Sequence, residues 1–344
     1  MRGRDLRVVS CGAALAIIAL LPAAAAAAKA VGAPACVPAN GRQIVIYRAG
    51  SLSAAFKPLT ERFTCETGVA VKDVAMGSVD AGRQITAGGR ACDLYAPADD
   101  SVIDLFMKPA GYADVTIVFA RGKMVLAYSA RSLESKGWPP LAEAKWYEIL
   151  TSPGFRIGAG HPFLDPGAYR ADLIFQLAAA YYRVPNLHND LLEHVVIAGP
   201  GRSAPALGDL YDAQIIYEHS ARALAKGNPD IRYVDLPDEV NLSDPARDAY
   251  YRQHALIVLP GLGTPRSART IPVPATRVAW GITIMKNAPN PADAVRFLRL
   301  LLGPAGRAAL EENGPAPIVP AQVSREDYGR IPEALRALVT RPGR

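Results

Sequence analysis

Gln43-Ile-Val-Ile-Tyr47, then Ala49-Gly50-Ser51, then Leu52 to Phe63 read in succession as strand, turn and helix. The first run is short, apolar and rich in β-branched residues, and the last places its apolar residues at helical spacing. The pattern repeats at once. Val69-Ala-Val-Lys-Asp-Val74 is a second strand, Gly77-Ser78 a second turn, and Val79 to Ala87 a second helix. Asp93-Leu-Tyr-Ala96 followed by Asp100 to Met107 is a third strand and helix. Strands alternating with helices predict βα units and mainly parallel sheets flanked by helices, an α/β fold. Further along, Phe155-Arg-Ile-Gly158 is a strand that leads through His161-Pro-Phe-Leu-Asp165-Pro166 into a long helix, Gly167 to Tyr182. Val278 to Ile284 is a strand and Pro291 to Leu302 an amphipathic helix.

Upstream of the first strand lies a stretch of different character. Arg2, Arg4 and Arg7 precede an apolar run from Val8 to Leu21, then Pro22 and a block of alanines. Ala26-Ala27-Ala28 and Ala28-Lys29-Ala30 fit the small-x-small pattern of secretory cleavage, so residues 1–30 read as a signal peptide and the chain as periplasmic. Alanine contributes little to membrane insertion and Pro22 interrupts the run, which argues against a retained membrane helix. The remainder, about 310 residues, is long enough for two domains with their own cores.

Half of the 344 residues are hydrophobic and a fifth are charged, as in a globular protein. The net charge is +6, but Lys and Arg are scattered singly. No basic run is interleaved with aromatics, so nucleic acid is not an expected partner. Cys36, Cys65 and Cys92 follow the leader, and in an oxidising compartment they predict one disulfide and one spare thiol, with the pairing open. The five histidines show no HExxH or finger spacing. GxSxG and Walker motifs are missing, Gly261-Leu-Gly263 lacks a third Gly, and no catalytic set can be assembled. The expected protein is a binding module rather than an enzyme, and it needs no cofactor.

Two turns carry the strongest local signal. Ser51 and Ser78 each follow a strand, stand beside Gly50 and Gly77, and open a helix. Each serine suits an N-cap. Equally, in open α/β sheets ligands bind at the carboxyl ends of the strands, and a helix N-terminus suits an anion without any Lys or Arg. Asp165-Pro166-Gly167 has the same ambiguity, because Asp before Pro at a helix start is an ordinary cap. Arg83 and Arg170 are expected in ion pairs that hold these turns. Tyr181-Tyr182 resembles the tandem tyrosines of ferric-binding proteins, but on a long apolar helix tandem tyrosines suit core and boundary positions better.

Six segments in order carry a family resemblance: Tyr47-Arg-Ala-Gly-Ser-Leu-Ser53, Gly77-Ser78, Phe119-Ala-Arg-Gly-Lys-Met-Val-Leu-Ala-Tyr128, His161-Pro-Phe-Leu-Asp-Pro-Gly-Ala-Tyr-Arg170, Leu236-Pro-Asp-Glu-Val-Asn-Leu242 and Trp280-Gly-Ile-Thr-Ile284. From about Gln43 to Pro320 the chain resembles the extracytoplasmic molybdate/tungstate-binding proteins of ABC importers, in the branch of the archaeal tungstate binders. The resemblance implies a two-lobed periplasmic-binding-protein fold with the ligand between the lobes. One lobe would comprise residues 40–125 with 272–340, the other residues 126–271. It implies a monomer that hands molybdate or tungstate to a membrane permease, with Gly50, Ser51, Ser78 and Asp165-Pro166-Gly167 lining the cleft.

In the resembled branch an Asp and a Glu bond the metal centre itself, which hard Mo(VI) and W(VI) permit and sulfur or phosphorus does not. Asp165 matches that Asp. Glu218, next to Tyr217, is the candidate for the Glu, with a solvated surface carboxylate as the alternative. An ungapped match through Tyr217 places Ile216 at that position instead. Glu239 is a further candidate. Within the same architecture the competing ligands are ferric ion, sulfate and phosphate. A secreted enzyme using Ser51 or Asp165 is the rival of another class.

Overall fold

A computed structural model describes residues 36–142, 145–197, 207–263 and 269–341. The segment expected to be a leader, with its expected cleavage site, lies outside the described residues. The strands are β1 (Gln43–Ala49), β2 (Ala70–Met76), β3 (Leu94–Ala96), β4 (Ile117–Arg121), β5 (Met124–Ser129), β6 (Ile157–Ala159), β7 (Val195–Ile197), β8 (Ala213–Tyr217), β9 (Ile231–Val234), β10 (Leu256–Pro260), β11 (Thr270–Pro274), β12 (Ala279–Ile284) and β13 (Ala316–Gln322). The helices that matter for the site are α1 (Ser53–Thr67), α2 (Ser78–Ile85), α3 (Pro166–Tyr182), α4 (Glu218–Gly227) and α5 (Pro291–Leu302).

The strands form a six-stranded sheet of order β13-β4-β12-β3-β1-β2 and a five-stranded sheet of order β7-β6-β8-β5-β9. Both sheets are mixed rather than mainly parallel. β1 pairs in parallel with β2 and β3, the strands joined by helices. β12 enters antiparallel between β3 and β4. In the other sheet β6 pairs in parallel with β7 and β8, while β5 is antiparallel to β8 and β9. A crossover helix returns the chain to run parallel. β12 and β13, reached on the way back, run against the other four strands of their sheet, and β5, joined directly to β4, runs against the other four of its own. A separate hairpin, β10 with β11, was not anticipated from the sequence.

The chain passes from one sheet to the other twice. Gly122 and Lys123 join β4 to β5. Gly122 donates to Val278 O and Val278 to Leu242 O, which staples the outgoing and returning segments together. Gly122 leaves little room for a side chain, because a Cβ there would stand 3.0 Å from the buried Trp280 ring.

Packing follows from the helical stripes. α1 buries Ala55, Phe56, Leu59 and Phe63, and α5 buries Ala294, Phe297, Leu298 and Leu301. The two stripes meet through Phe56–Phe297 and Phe63–Phe297 ring contacts at 6.0 and 5.4 Å. Truncating a fully buried Phe of this kind costs about 3–5 kcal/mol. α1 ends at Gly68, whose φ of 66° is the left-handed cap conformation. Cys36 and Cys65 form the disulfide that the sequence left open among three thiols, and Cys92 is free and buried. Tyr181 and Tyr182 end α3 as boundary residues, with the Tyr182 hydroxyl accepting from Trp146 Nε1 at 3.2 Å.

Candidate functional site

Between the two sheets lies a cavity of about 350 Å³. The six-stranded side contributes Gly50, Ser51 and Ala98; the five-stranded side contributes Ala159, Gly160, Asp165, Gly167, Gln214, Ile216 and Tyr217, among others. Small residues at strand ends make the space, and Gly158 makes room for the Tyr211 ring that lines it, since a Cβ there would lie 2.5 Å from that ring. No Lys or Arg is among the described residues that line it.

Neither serine caps its helix. Ser51 Oγ accepts from Trp280 Nε1 at 3.0 Å. Ser78 is wholly buried behind the cavity wall, where its Oγ accepts from Ala98 N at 3.0 Å and its carbonyl from the Tyr95 hydroxyl at 2.6 Å. Ser78 therefore shapes the wall and does not line it. The start of α2 is also engaged: Val79 N and Asp80 N both donate to Leu164 O, at 3.1 and 3.2 Å. The unpaired helix-start donors expected from the sequence are thus taken by a carbonyl of the opposite side.

Asp165 does both things the sequence allowed. As N-cap of α3 it accepts from Gly167 N at 2.6 Å, with Pro166 buried at the first helical position. It also faces the cavity. Although partly open to that space, its carboxyl is held above the ordinary carboxylate range by burial, against the pull of the Gly167 and Ala168 amides and of Arg170.

Behind the cavity Arg170 is buried and spans the two sides. Its Nη1 donates to Ala98 O at 2.6 Å and to the Tyr217 hydroxyl at 3.0 Å. Its Nη2 pairs with Asp99 at 3.2 Å, and the Tyr169 hydroxyl donates to the same carboxylate at 2.6 Å. Burial works against the guanidinium charge, but Asp99 first, then Tyr217 and Tyr169, outweigh it and hold its pKa above the ordinary value. Burial likewise pushes the Tyr217 phenol well up, so it stays protonated. Trp280, Tyr217 and His219 form one aromatic cluster: Tyr217 lies 4.9 Å and His219 5.4 Å from the Trp280 ring.

The other carboxylates do not reach the cavity. Glu218 opens α4 and pairs with Lys123 at 3.6 Å, and Lys123 is itself held by Asp235 at 2.7 Å. Glu239 pairs with Arg247 at 3.2 Å. Ile216 lines the cavity in Glu218's stead. Sequence reasoning assigned no role to Trp280, Gln214 or Tyr211. Only Trp280 left a signal, standing in a segment already singled out, Trp280 to Ile284.

The tandem tyrosines are remote. Tyr181 stands sixteen residues after Asp165 on α3, about 24 Å along the axis. Among the described residues no three His, Cys, Asp or Glu side chains gather to hold a metal ion.

Two mixed sheets with a double crossing and a small cavity between them give the architecture of a two-lobed solute-binding protein. The chain belongs to the bacterial extracellular solute-binding proteins, whose family profile matches residues 44–315. A molybdate/tungstate-binding protein of Thermococcus kodakarensis is 29% identical over 325 residues, covering 86% of this chain and 87% of its own. An uncharacterised solute-binding protein of Methanoculleus marisnigri is 31% identical over 322 residues, 86% of each chain. Among solved structures, the sulfate-binding protein SubI of Mycobacterium tuberculosis superposes with a TM-score of 0.57 at 16% identity, over 80% of this chain and 87% of that one. The periplasmic molybdate-binding protein of Azotobacter vinelandii superposes with a TM-score of 0.53 at 18% identity, over 79% and 98%.

Proposed function

We propose that the protein is an exported receptor that captures tungstate or molybdate in the cavity between its sheets and delivers it to the permease of an ABC importer. One observation carries the reading. Ser51 and Tyr217, from opposite sides of one cavity, each have a hydroxyl oxygen already accepting from a fixed donor, Trp280 Nε1 and Arg170 Nη1 respectively. Each hydroxyl hydrogen is therefore left to donate into the cavity. Converging neutral donors with a buried guanidinium behind them suit a tetrahedral oxyanion, which needs several hydrogen bonds and gains from a positive potential it need not touch.

Asp165 is the element of selectivity in this reading. Toward sulfate its carboxylate is a like charge in a confined cavity. Toward tungsten or molybdenum it is a hard oxygen donor for the metal atom. With Ile216 at the second carboxylate's place and Asp165 Oδ1 held by Gly167 N, the cavity offers one free carboxylate oxygen, so the bound metal should have fewer than six oxygens. The relative from Thermococcus kodakarensis, matched over most of its length, supports the same ligand class. Lobe boundaries at 40–125 with 272–340, and at 126–271, are part of the proposal, as is a monomeric receptor.

Calorimetric titration with tungstate, molybdate and sulfate tests it. The expected result is tight binding of both metal oxyanions, little or none of sulfate, and a roughly ten- to hundredfold weaker Kd for tungstate in Ser51→Ala. Equal binding of sulfate, or no loss in Ser51→Ala, would refute the reading.

A further inference from the structure

Arg83, in the last turn of α2, touches no part of the cavity, yet it joins the two sides. Its Nη1 donates to Phe163 O at 2.7 Å and its Nη2 to Pro260 O at 3.2 Å. Among the described residues no carboxylate lies within ion-pair distance of it, so the ion pair expected from the sequence is replaced by two carbonyl bonds. Both carbonyls belong to the five-stranded side. Phe163 lies in the turn that ends at Asp165. Pro260 ends β10, whose root is fixed to α3 by Gln176 Nε2 to Leu256 O at 3.1 Å and Leu256 N to Gln176 Oε1 at 3.0 Å.

We propose that Arg83 is a cross-cleft clamp, a positioning residue that holds the Asp165 turn and the β10–β11 hairpin against α2 and thereby sets how fast the bound oxyanion is released. The naming of the oxyanion rests on the function proposed above. A planar guanidinium can serve two separate acceptors at fixed angles, which a Lys ammonium does less well. Keeping a half-buried cation with no carboxylate partner is costly, so its place is explained by what it bridges.

The surroundings fit one clasp. Val79 N and Asp80 N grip Leu164 O, next to Phe163, and Thr86 Oγ1 reaches Leu262 O at 3.4 Å, beside the hairpin end. Gly82 and Gly77 let the backbones close, with Cβ positions 3.1 Å from Leu262 Cδ2 and 2.4 Å from Leu164 O. All these contacts join one side to the other, so they break together when the sides part. An interaction made only in the closed arrangement slows dissociation and leaves encounter unaffected.

The test is stopped-flow tungstate binding followed by tryptophan fluorescence, Trp280 being bonded to the cavity-lining Ser51, with Arg83→Met, which keeps the stem and removes the donors. Dissociation should speed up roughly ten- to hundredfold while association changes by less than about threefold. Arg83→Lys should fall between. Unchanged dissociation, or a loss confined to association, would overturn the clamp. A readout free of ligand runs beside it: spin labels at Lys57→Cys and Leu192→Cys, at exposed positions on helices of the two sides. Their distance distribution should shift to longer values in Arg83→Met, and an unshifted one would overturn the clamp. Should the parent bind no oxyanion at all, the proposed function falls while the distances still decide the clamp.

Discussion

Asp165 condenses the residue-scale question into one side chain. Its carboxylate caps α3 through Gly167 N and at the same time faces the cavity. Sequence reasoning treated these as alternatives, yet a carboxylate has two oxygens and enough lone pairs for both tasks. Asp165→Asn separates them, because Asn caps as well as Asp. We expect a melting temperature within a few degrees of the parent. Tungstate affinity should fall about tenfold, a difference of roughly 1.4 kcal/mol, and sulfate binding should become measurable. Calorimetry against both anions checks this, and unchanged affinities would leave Asp165 as a cap alone. Ser51 shows the converse. Its hydroxyl has the position of a cap but binds Trp280, a partner 229 residues away that no local pattern could name.

At the scale of elements, the decisive contact is α2 against the turn before α3. Gly77 has an ordinary φ of −59°, so backbone conformation does not require glycine there. Space does: a Cβ would stand 2.4 Å from Leu164 O and 3.0 Å from its carbonyl carbon. Backbone cannot swing aside like a flexible side chain, so Gly77→Ala must push α2 off the turn. The expected cost is about 1–3 kcal/mol of stability, together with weaker tungstate binding, measured by thermal unfolding and titration of the same variant. Full stability with parental affinity would mean that the two elements need not touch for function.

On the scale of the whole molecule, folding is linked to two titrations of opposite sign. His219 Nε2 lies 3.0 Å from Ser51 O, and burial first, then Arg222, depresses its pKa from 6.5 to about 4, against the pull of the Ser51 carbonyl. Between those values the unfolded chain holds the proton and the folded one does not, so this group makes stability rise with pH and fall as pH drops from 6.5 toward 4. Asp100, bonded to Arg277 at 2.9 Å, is pushed from 3.8 to about 6 by burial, against Arg277 and with the help of Asp99. There the folded state holds the extra proton, so its contribution falls as pH rises from 3.8 toward 6. Comparing unfolding free energies from pH 4 to 7, His219→Gln should lose the gain with rising pH, and Asp100→Asn should lose the opposing trend. Parallel curves for parent and variants would contradict both assignments.

The sequence by itself determined the α/β alternation, the presence of one disulfide and two of the turns that stand at the cavity, Gly50-Ser51 and Asp165 to Gly167, because these are written in local periodicity, glycine placement and cysteine count. It also carried the family resemblance through six ordered segments. Only the tertiary structure decided the rest. Strand sense in the mixed sheets depends on where the chain crosses between them. Ser78 went behind the wall, and Glu218 and Glu239 went to Lys123 and Arg247 instead of the cavity. Arg83 found carbonyls rather than a carboxylate. Each of those outcomes is a choice among partners far apart in the chain, and such a choice is made by packing, where desolvation and geometry compare all candidates at once. Local pattern names the residues able to bond; the folded arrangement chooses which bond they make.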